Sequence, residues 1–169
     1  QHLSPDHKSL MGELLARHTG LPIKAVTDGI QIEPESIYLM PRKSNITVFN
    51  DRLFLSEPEP GLNLPIDTFL RSLAEEYGER AIGVILSGTG SDGTRGVRAI
   101  KEAGGLVFVQ EESTARFDGM PGSANRTGIV DYVLPPEEMP ERIVRFARSK
   151  EEQRRSDESE SLPSSGAVA

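Results

Sequence analysis

The sequence predicts an α/β fold built around a doubly wound, mostly parallel sheet with helices on both faces and a β-hairpin insertion. Residues 82–86 form a short apolar run typical of a buried parallel strand, and the glycine-rich segment 87–93 follows directly. Apolar residues then recur at helical spacing up to Gly104, and Leu106–Val109 is a second apolar strand. A strand, helix and strand in this order form a parallel pair with a right-handed crossover. The expected domain is therefore Rossmann-like.

The first half of the chain predicts two helices and a β-rich region between them. Residues 10–18 and 66–77 each keep an apolar stripe at helical spacing. Four stretches have the composition of strands: Ile23–Val26, Ser36–Met40, Ile46–Phe49 and Leu53–Leu55. The last two are separated by Asn-Asp-Arg at 50–52, which predicts a β-hairpin, and Asp28 with Gly29 predicts a turn.

The second half of the chain predicts a short helix, a strand and a longer helix. The short helix is expected after Met120-Pro121 and before Gly128, and residues 129–134 form another apolar strand. The last helix is expected over about residues 137–148. The side of this helix that we predict to be buried carries Ile143, Val144 and Ala147.

Beyond residue 148 the apolar pattern stops. Residues 149–169 are rich in serine and acidic residues and contain no aromatic residue, which is typical of a disordered tail or linker. We therefore predict one folded domain over residues 1–148, followed by a tail over 149–169.

Composition excludes several classes of function. The formal net charge is −7 and no basic cluster is present, so nucleic acid is not an expected partner. No apolar run is long enough to span a bilayer, so we expect no membrane insertion. The chain has no cysteine, which excludes disulfides and thiolate catalysis and is compatible with a cytoplasmic location.

The glycine-rich segment after the central strand allows three interpretations of Asp92. Gly88, Gly90 and Gly93 match the dinucleotide fingerprint G-x-G-x-x-G in the strand-to-helix context that it requires. In the second interpretation, Asp92 is a catalytic carboxylate at the carboxyl end of the strand. In the third, Asp92 only caps the helix that follows, by accepting N–H bonds from its first turn. A carboxylate beside a bound pyrophosphate is unfavourable, which counts against the nucleotide.

Histidines are few, and only one is a candidate for catalysis. His2 lies where the first residues resemble the end of a strand entering a loop, although an exposed loop histidine is the better interpretation of His2 by itself. His7 and His18 are predicted to lie on the surface. No pair of histidines has metal-ligand spacing with carboxylates nearby, so we predict no metal site and no bound cofactor.

Several motifs together resemble the catalytic domain of the chemotaxis protein-glutamate methylesterases (CheB-type). The segments that carry the resemblance are Val84–Gly93 (Val-Ile-Leu-Ser-Gly-Thr-Gly-Ser-Asp-Gly), Gly105–Gln110, Phe117–Pro121, Ser123-Ala124, Gln1–Pro5 and Leu64–Asp67. They occur in the family's order and cover residues 1–148. The segment from His2 to Ser9 looks most like the version that is fused to a CheR-type methyltransferase domain.

The resemblance implies a serine hydrolase that removes methyl esters from glutamates on chemoreceptor helices and releases methanol; some members also deamidate receptor glutamines. By position, His2 matches the family's catalytic histidine and Asp92 its catalytic aspartate. In such a triad the histidine takes the serine proton, and the aspartate fixes the histidine tautomer. Thr89, Gly90 and Met120 are expected in the oxyanion and substrate loop. The expected partner is a methylated chemoreceptor or a similar signalling protein, in the cytoplasm.

One departure from the family pattern concerns the nucleophile. The family's serine lies in a Ser/Thr-Gly-Gly turn after the first strand, upstream of the Gln-His segment with which this sequence starts. We therefore expect an N-terminally truncated domain without the first strand, nucleophile turn and first helix, with an open apolar edge and no esterase activity of its own. The alternatives are a non-catalytic receptor-binding or scaffold module and, less favoured, a nucleotide-binding domain that uses segment 88–93.

Overall fold

The computed structural model describes residues 10–58 and 60–160, and it confirms the α/β class. Its strands are β1 (Ile23–Ala25), β2 (Ile30–Gln31), β3 (Ile37–Leu39), β4 (Asn45–Phe49), β5 (Arg52–Ser56), β6 (Ile82–Ile85), β7 (Leu106–Gln110) and β8 (Tyr132–Leu134). Its α-helices are α1 (Met11–Ala16), α2 (Pro65–Tyr77), α3 (Thr94–Glu102), α4 (Gly119–Asn125) and α5 (Met139–Glu160). The strands form a parallel sheet of order β6-β7-β8, a parallel pair β1-β3 and an antiparallel sheet of order β2-β5-β4.

The parallel sheet contains the main core, and β7 is its central strand. Val107, Phe108 and Val109 are completely buried, so both faces of β7 are covered. One face packs into the cluster that contains Ile85 and Ile100. On the other side, the Phe108 ring stacks on Tyr132 with the ring centroids 5.0 Å apart. The prediction of a fully apolar, doubly covered strand is confirmed for β7.

The same prediction is wrong for part of β6. Ile85 is buried, but Val84 is 37% exposed and Leu86, just after the strand, is 47% exposed. Successive strand residues point to opposite faces, so the face that carries Ile85 packs on the core while Val84 points away from it. Among the described residues β6 pairs only with β7, which makes β6 an edge strand of this sheet.

The β-hairpin is confirmed, with a tighter turn than the sequence suggested. Asn50 and Asp51 both have positive φ, 49° and 54°, as a two-residue type I′ turn requires. Arg52 already belongs to β5 and pairs with Phe49. The strand β2 was not predicted, because it has only two residues and follows the turn at Gly29.

Helix α2 joins the hairpin to the parallel sheet. The Ser72 hydroxyl accepts a hydrogen bond from the Val48 N–H of β4 at 3.0 Å. On its other side α2 lies very close to α3, because a Cβ placed on Gly96 would be only 2.6 Å from the Leu70 Cβ. Since only glycine allows this approach, Gly96 keeps the N-terminal ends of the two helices side by side.

The C-terminal helix is longer than predicted. Helix α5 continues through Glu160, so the expectation of no helix after residue 148 is wrong for this stretch. Exposed ion pairs three and four residues apart support it, among them Arg154 with Glu151 and with Glu158. Val144 is 46% exposed and Ala147 is also exposed, so neither belongs to the buried side as predicted. The division into a domain over residues 1–148 and a tail over 149–169 stays a prediction.

Two element boundaries near the site also differ from the sequence-based expectation. Helix α4 begins at Gly119, so Met120 and Pro121 lie in its first turn rather than before it. Strand β8 begins only at Tyr132. In the part of the chain that the structure describes, no helix combines the length and the apolar content needed to cross a bilayer.

Candidate active site

Asp92 lies in the loop between β6 and α3, at the carboxyl end of the parallel strand, where the sequence placed it. The residue is only 7% exposed. Its Oδ2 atom accepts a hydrogen bond from the Ile66 N–H at 3.0 Å, and its Oδ1 atom accepts one from the Asp67 N–H at 2.9 Å. These donors are the second and third residues of α2, so Asp92 satisfies two backbone N–H groups that the helix leaves unpaired.

Asp67 makes the reverse contact. It lies in the first turn of α2, is 5% exposed, and its Oδ1 atom accepts a hydrogen bond from the Gly96 N–H of α3 at 2.7 Å. Each aspartate therefore caps the helix on the other side of the contact. Asp92 does cap a helix, as one interpretation of the sequence predicted, but the helix is α2 and not α3. The first turn of α3 is capped by Asp67.

The Asp92 carboxylate can accept further hydrogen bonds besides those that cap α2. Each carboxylate oxygen has two lone pairs, and each Asp92 oxygen accepts one backbone hydrogen bond. Both oxygens therefore keep the capacity to accept an imidazole N–H. The positive ends of helix dipoles also stabilise a charged carboxylate in this position. The arrangement is suited to a fixed aspartate that orients a histidine.

The glycine loop before Asp92 is held against the segment that starts α4. The Gly88 N–H donates to the Phe117 carbonyl at 2.9 Å, and the Met120 N–H donates to the Gly88 carbonyl at 2.9 Å. A Cβ on Gly119 would lie 2.9 Å from the Gly90 nitrogen, so the two backbones touch there. The structure thus brings Met120 to the loop that contains Gly90, and the role of these two residues in an oxyanion and substrate loop stays a prediction.

A buried glutamine anchors the start of the same loop. The Gln110 side chain, 6% exposed, accepts the Ser87 N–H at 2.8 Å and donates to the Thr114 carbonyl at 3.1 Å. The Ser87 hydroxyl oxygen in turn accepts the Phe117 N–H at 2.9 Å. Ser87 is therefore a structural residue that ties the two loops together.

Thr89 and Gly90 form the tip of the loop and are exposed. Within residues 10–58 and 60–160, neither backbone N–H has a hydrogen-bond acceptor. Unpaired N–H groups at an exposed loop tip are the kind of donor that an oxyanion hole needs. Their assignment as oxyanion donors stays a prediction, since no oxyanion defines the position to be reached.

The nucleotide-binding interpretation fits the geometry poorly. A pyrophosphate in a G-x-G-x-x-G site binds to the N-terminal end of the following helix. At α3 the Gly96 N–H already donates to Asp67, which places a buried carboxylate there. Gly93 adopts φ 95°, and a Cβ there would be 2.7 Å from the Ile85 side chain, so close packing explains this glycine.

His2 lies outside the described residues, so its contact with Asp92 stays a prediction. His18 is exposed. In the ranges that the structure covers, no group of three or more histidines and carboxylates could hold a metal ion.

Asp67 and Gln110 support the site, although neither was expected there from the sequence. Asp67 had a usable signal, since an acidic residue in the first turn of a helix that starts with proline is typical of capping. No local pattern connected Asp67 with Gly96, because that pairing depends on how α2 packs on α3. The polar Gln110 at the end of an apolar strand was a weaker signal for a buried anchor.

These features define a doubly wound α/β domain whose candidate site lies in loops at the carboxyl end of its parallel sheet. The chain belongs to the CheB methylesterase family, which it matches over residues 1–143.

Similar proteins and a solved structure agree with this membership. The chain is 46% identical over 125 residues to an uncharacterized 104.1 kDa protein in the hypE 3′ region of Rhodobacter capsulatus. It is 34% identical over 152 residues to protein-glutamate methylesterase/protein-glutamine glutaminase 3 of Anaeromyxobacter dehalogenans. The crystal structure of the Thermotoga maritima CheB methylesterase catalytic domain superposes with a TM-score of 0.77 at 31% identity, covering 86% of this chain and 80% of that one.

The matches cover most of this chain but a smaller part of its relatives. They include 73% of this chain but 13% of the Rhodobacter protein, and 88% of this chain but 44% of the Anaeromyxobacter enzyme. The similarity therefore concerns one region of longer proteins.

Proposed function

We propose that this chain is part of a protein-glutamate methylesterase that hydrolyses glutamate methyl esters on chemoreceptors and releases methanol, with deamidation of glutamine as a related reaction. The observation that carries the proposal is the Asp92 carboxylate, buried at the carboxyl end of β6 and fixed by two backbone N–H groups. Membership of the CheB methylesterase family and the name of the Anaeromyxobacter enzyme support the same substrate class.

The proposed chemistry is that of a serine hydrolase with a Ser-His-Asp triad. The serine hydroxyl attacks the ester carbonyl carbon while His2 takes the hydroxyl proton. His2 then returns this proton to the departing methoxide, which leaves as methanol, and water hydrolyses the acyl-enzyme by the same route. Asp92 orients His2 and stabilises its charged form. The free N–H of Thr89 would donate to the oxygen that becomes negative in the tetrahedral intermediate.

The nucleophile would come from the Ser/Thr-Gly-Gly turn that precedes the Gln-His segment in the family. Activity is therefore to be measured on the full-length product of the gene as well as on residues 1–169. The expectation that residues 1–169 alone have no esterase activity stays a prediction.

Two further parts of the proposal concern the context of the domain. The proposal of a fused methyltransferase domain comes from the resemblance of residues 2–9; the match to the 104.1 kDa Rhodobacter protein covers 13% of that protein and leaves room there for further domains. A cytoplasmic location would place the site beside receptor glutamates and agrees with the absence of cysteine from the sequence.

The direct test is methanol release from receptor membranes that carry tritiated methyl groups. The full-length product should release volatile radioactivity, and a fluorophosphonate that modifies active serines should block the release. Residues 1–169 should neither release methanol nor become labelled by the reagent. A full-length product that binds the methylated receptor without releasing methanol would refute the hydrolase and favour the non-catalytic receptor-binding module.

A further inference from the structure

A cavity of about 380 Å³ lies directly beside the Asp92 loop. It lies between the N-terminal ends of α2 and α3 and the C-terminal end of α4. Ser91, the residue before Asp92, forms part of its wall, as does Asp67. A ligand in this cavity would therefore lie next to the proposed catalytic residues without occupying them.

Two arginines line the cavity, Arg95 from the first turn of α3 and Arg126 from the end of α4. Neither forms an ion pair with a carboxylate among residues 10–58 and 60–160, and Arg95 has no hydrogen-bond partner there. Arg126 donates to the Ser123 hydroxyl at 3.0 Å, which holds its side chain at the cavity wall. Most guanidinium N–H donors of this pair are thus free to bind a ligand.

The acidic residues nearby leave this positive charge available. Asp67 and Asp92 already accept N–H groups from the ends of α3 and α2, whose dipoles offset their charges. Glu112 approaches Arg126 across Gly122: a Cβ on Gly122 would lie 3.0 Å from the Glu112 Oε2 and 3.1 Å from an Arg126 nitrogen. The Glu112 and Arg126 side chains nevertheless form no ion pair, so Arg126 can still bind the carboxylate of a ligand.

The apolar part of the cavity comes from the loop before α2. Leu62 is 86% exposed, and Leu64 lies with it on the cavity wall. Arginines beside an exposed leucine match a protein segment that carries both acidic and apolar side chains. Because the whole chain has a net charge of −7, an acidic segment needs such a local positive site to approach it.

We infer that this cavity binds a free carboxylate of the substrate protein, on a residue about one helical turn from the esterified glutamate. The inference rests on the proposed function and names a feature of the substrate that the site selects. Arg95 and Arg126 would hold the carboxylate, and Leu62 would contact an apolar side chain beside it. Because ester hydrolysis itself creates carboxylates, hydrolysis at one glutamate would improve binding of the next esterified one.

The test uses two helical peptides, each with one glutamate methyl ester. Four residues away, one peptide carries glutamate and the other glutamine. For the full-length product, KM should be about tenfold lower for the glutamate peptide, as expected for a charge-assisted pair. In Arg95→Glu and in Arg126→Ala, the ratio of the two KM values should fall towards one.

Arg98→Glu is the matched control, because Arg98 is exposed on the same helix but does not line the cavity. It changes the net charge as Arg95→Glu does and should keep the wild-type KM ratio. Equal KM values for both peptides in the wild type, or equal effects of Arg98→Glu and Arg95→Glu, would overturn the inference. If neither peptide releases methanol, fluorescence anisotropy with the same peptides decides the inference by their Kd ratio, and the assay on receptor membranes decides the proposed function.

Discussion

Asp67 and Asp92 cap each other's helices, and both are buried. Asp92 accepts two N–H groups from the first turn of α2, and Asp67, which lies in that turn, accepts the Gly96 N–H of α3 at 2.7 Å. The backbone that supplies one cap is therefore held in place by the other. Asp92 cannot change position without releasing the first turn of α2, which gives the candidate catalytic carboxylate a fixed location.

The first prediction concerns Asp67 as a positioning residue. Asp67→Ala removes the cap of α3 and leaves the Gly96 N–H buried without a partner, which should lower the free energy of unfolding by about 2 kcal/mol. Because the α3 end of the Asp92 loop then loosens, kcat for methanol release should also fall. Asp67→Asn keeps a carbonyl oxygen as acceptor and should restore most of both quantities.

Asp131→Ala is the control for the Asp67 prediction. Asp131 also accepts a backbone N–H, from Val107 at 2.7 Å, and pairs with Lys101 at 2.6 Å, but at the opposite end of the parallel sheet. It should lower Tm without changing kcat. If Asp67→Ala also lowers only Tm, Asp67 has a structural role alone.

The second prediction concerns the contact between the glycine loop and α4. In Gly119→Ala the new Cβ would lie 2.9 Å from the Gly90 nitrogen and 3.1 Å from the Gly90 oxygen, and a backbone cannot yield as a side chain does. The loop must therefore shift, at a cost of about 1–3 kcal/mol, and kcat should fall. Gly20→Ala is the control, since a Cβ there meets nothing within 4 Å. An unchanged kcat in Gly119→Ala would show that the loop position does not matter for catalysis.

Local patterns predicted the elements of this fold well, and their limits are physical. The strand β7, helix α3 and the hairpin turn at Asn50 each had a complete local signature in residues a few positions apart. The exposure of Val84 had none, since whether both faces of β6 are covered depends on which elements pack there. Helix α5 extends to Glu160 without an apolar stripe, supported by pairs such as Arg155 with Glu151, which composition alone assigns to a disordered tail.

The candidate site was predicted one residue at a time and assembled only in three dimensions. The glycine loop and Asp92 were found from the sequence because strand, turn and helix are consecutive. The N–H groups that bind Asp92 belong to Ile66 and Asp67 at the start of α2, which lie 26 and 25 residues before Asp92 in the chain. Arg95 and Arg126 come together for the same reason, through the packing of α3 beside α4. Contacts between residues far apart in the chain have no local pattern in a single sequence from which they could be predicted.

The third prediction concerns alkaline pH. Burial, together with the hydrogen bond from the Tyr77 hydroxyl to Asp51 at 2.8 Å, raises the pKa of Tyr77 from 10.0 to about 12. The folded state thus holds the Tyr77 proton more tightly than the unfolded state does. The contribution of the protonated hydroxyl to the free energy of unfolding is therefore complete below pH 10 and is lost as the pH rises towards 12. After allowance for solvent screening, the loss should be about 1 kcal/mol.

Tyr77→Phe provides the comparison for this pH effect. Phenylalanine has no proton to release at this position. The free energies of unfolding of wild type and variant should therefore approach each other between pH 10 and 12, after correction for other titrating groups. A stability difference that stays constant over this range would show that the folded state does not hold the Tyr77 proton more tightly.

The fourth prediction concerns the end of α5. Lys150 of this helix forms an ion pair with Glu79 of the domain at 2.9 Å. The ion pairs of Arg154 and Arg155 join residues of α5 to each other. Ending the chain after Lys150 should leave Tm unchanged, whereas ending it after Ser149 should cost up to about 1 kcal/mol. A clear drop in Tm for the chain that ends at Lys150 would show that residues 151–160 pack on the domain.

The role of Asp92 in catalysis is tested by kcat for methanol release by Asp92→Asn in the full-length product. The asparagine oxygen can keep one of the two backbone hydrogen bonds, so the variant should fold with a reduced Tm. If Asp92 orients the catalytic histidine, kcat should fall about 10⁴-fold, as expected when the wrong histidine tautomer is favoured. A kcat within a few-fold of wild type, together with the reduced Tm, would contradict the account and leave Asp92 as the cap of α2 alone.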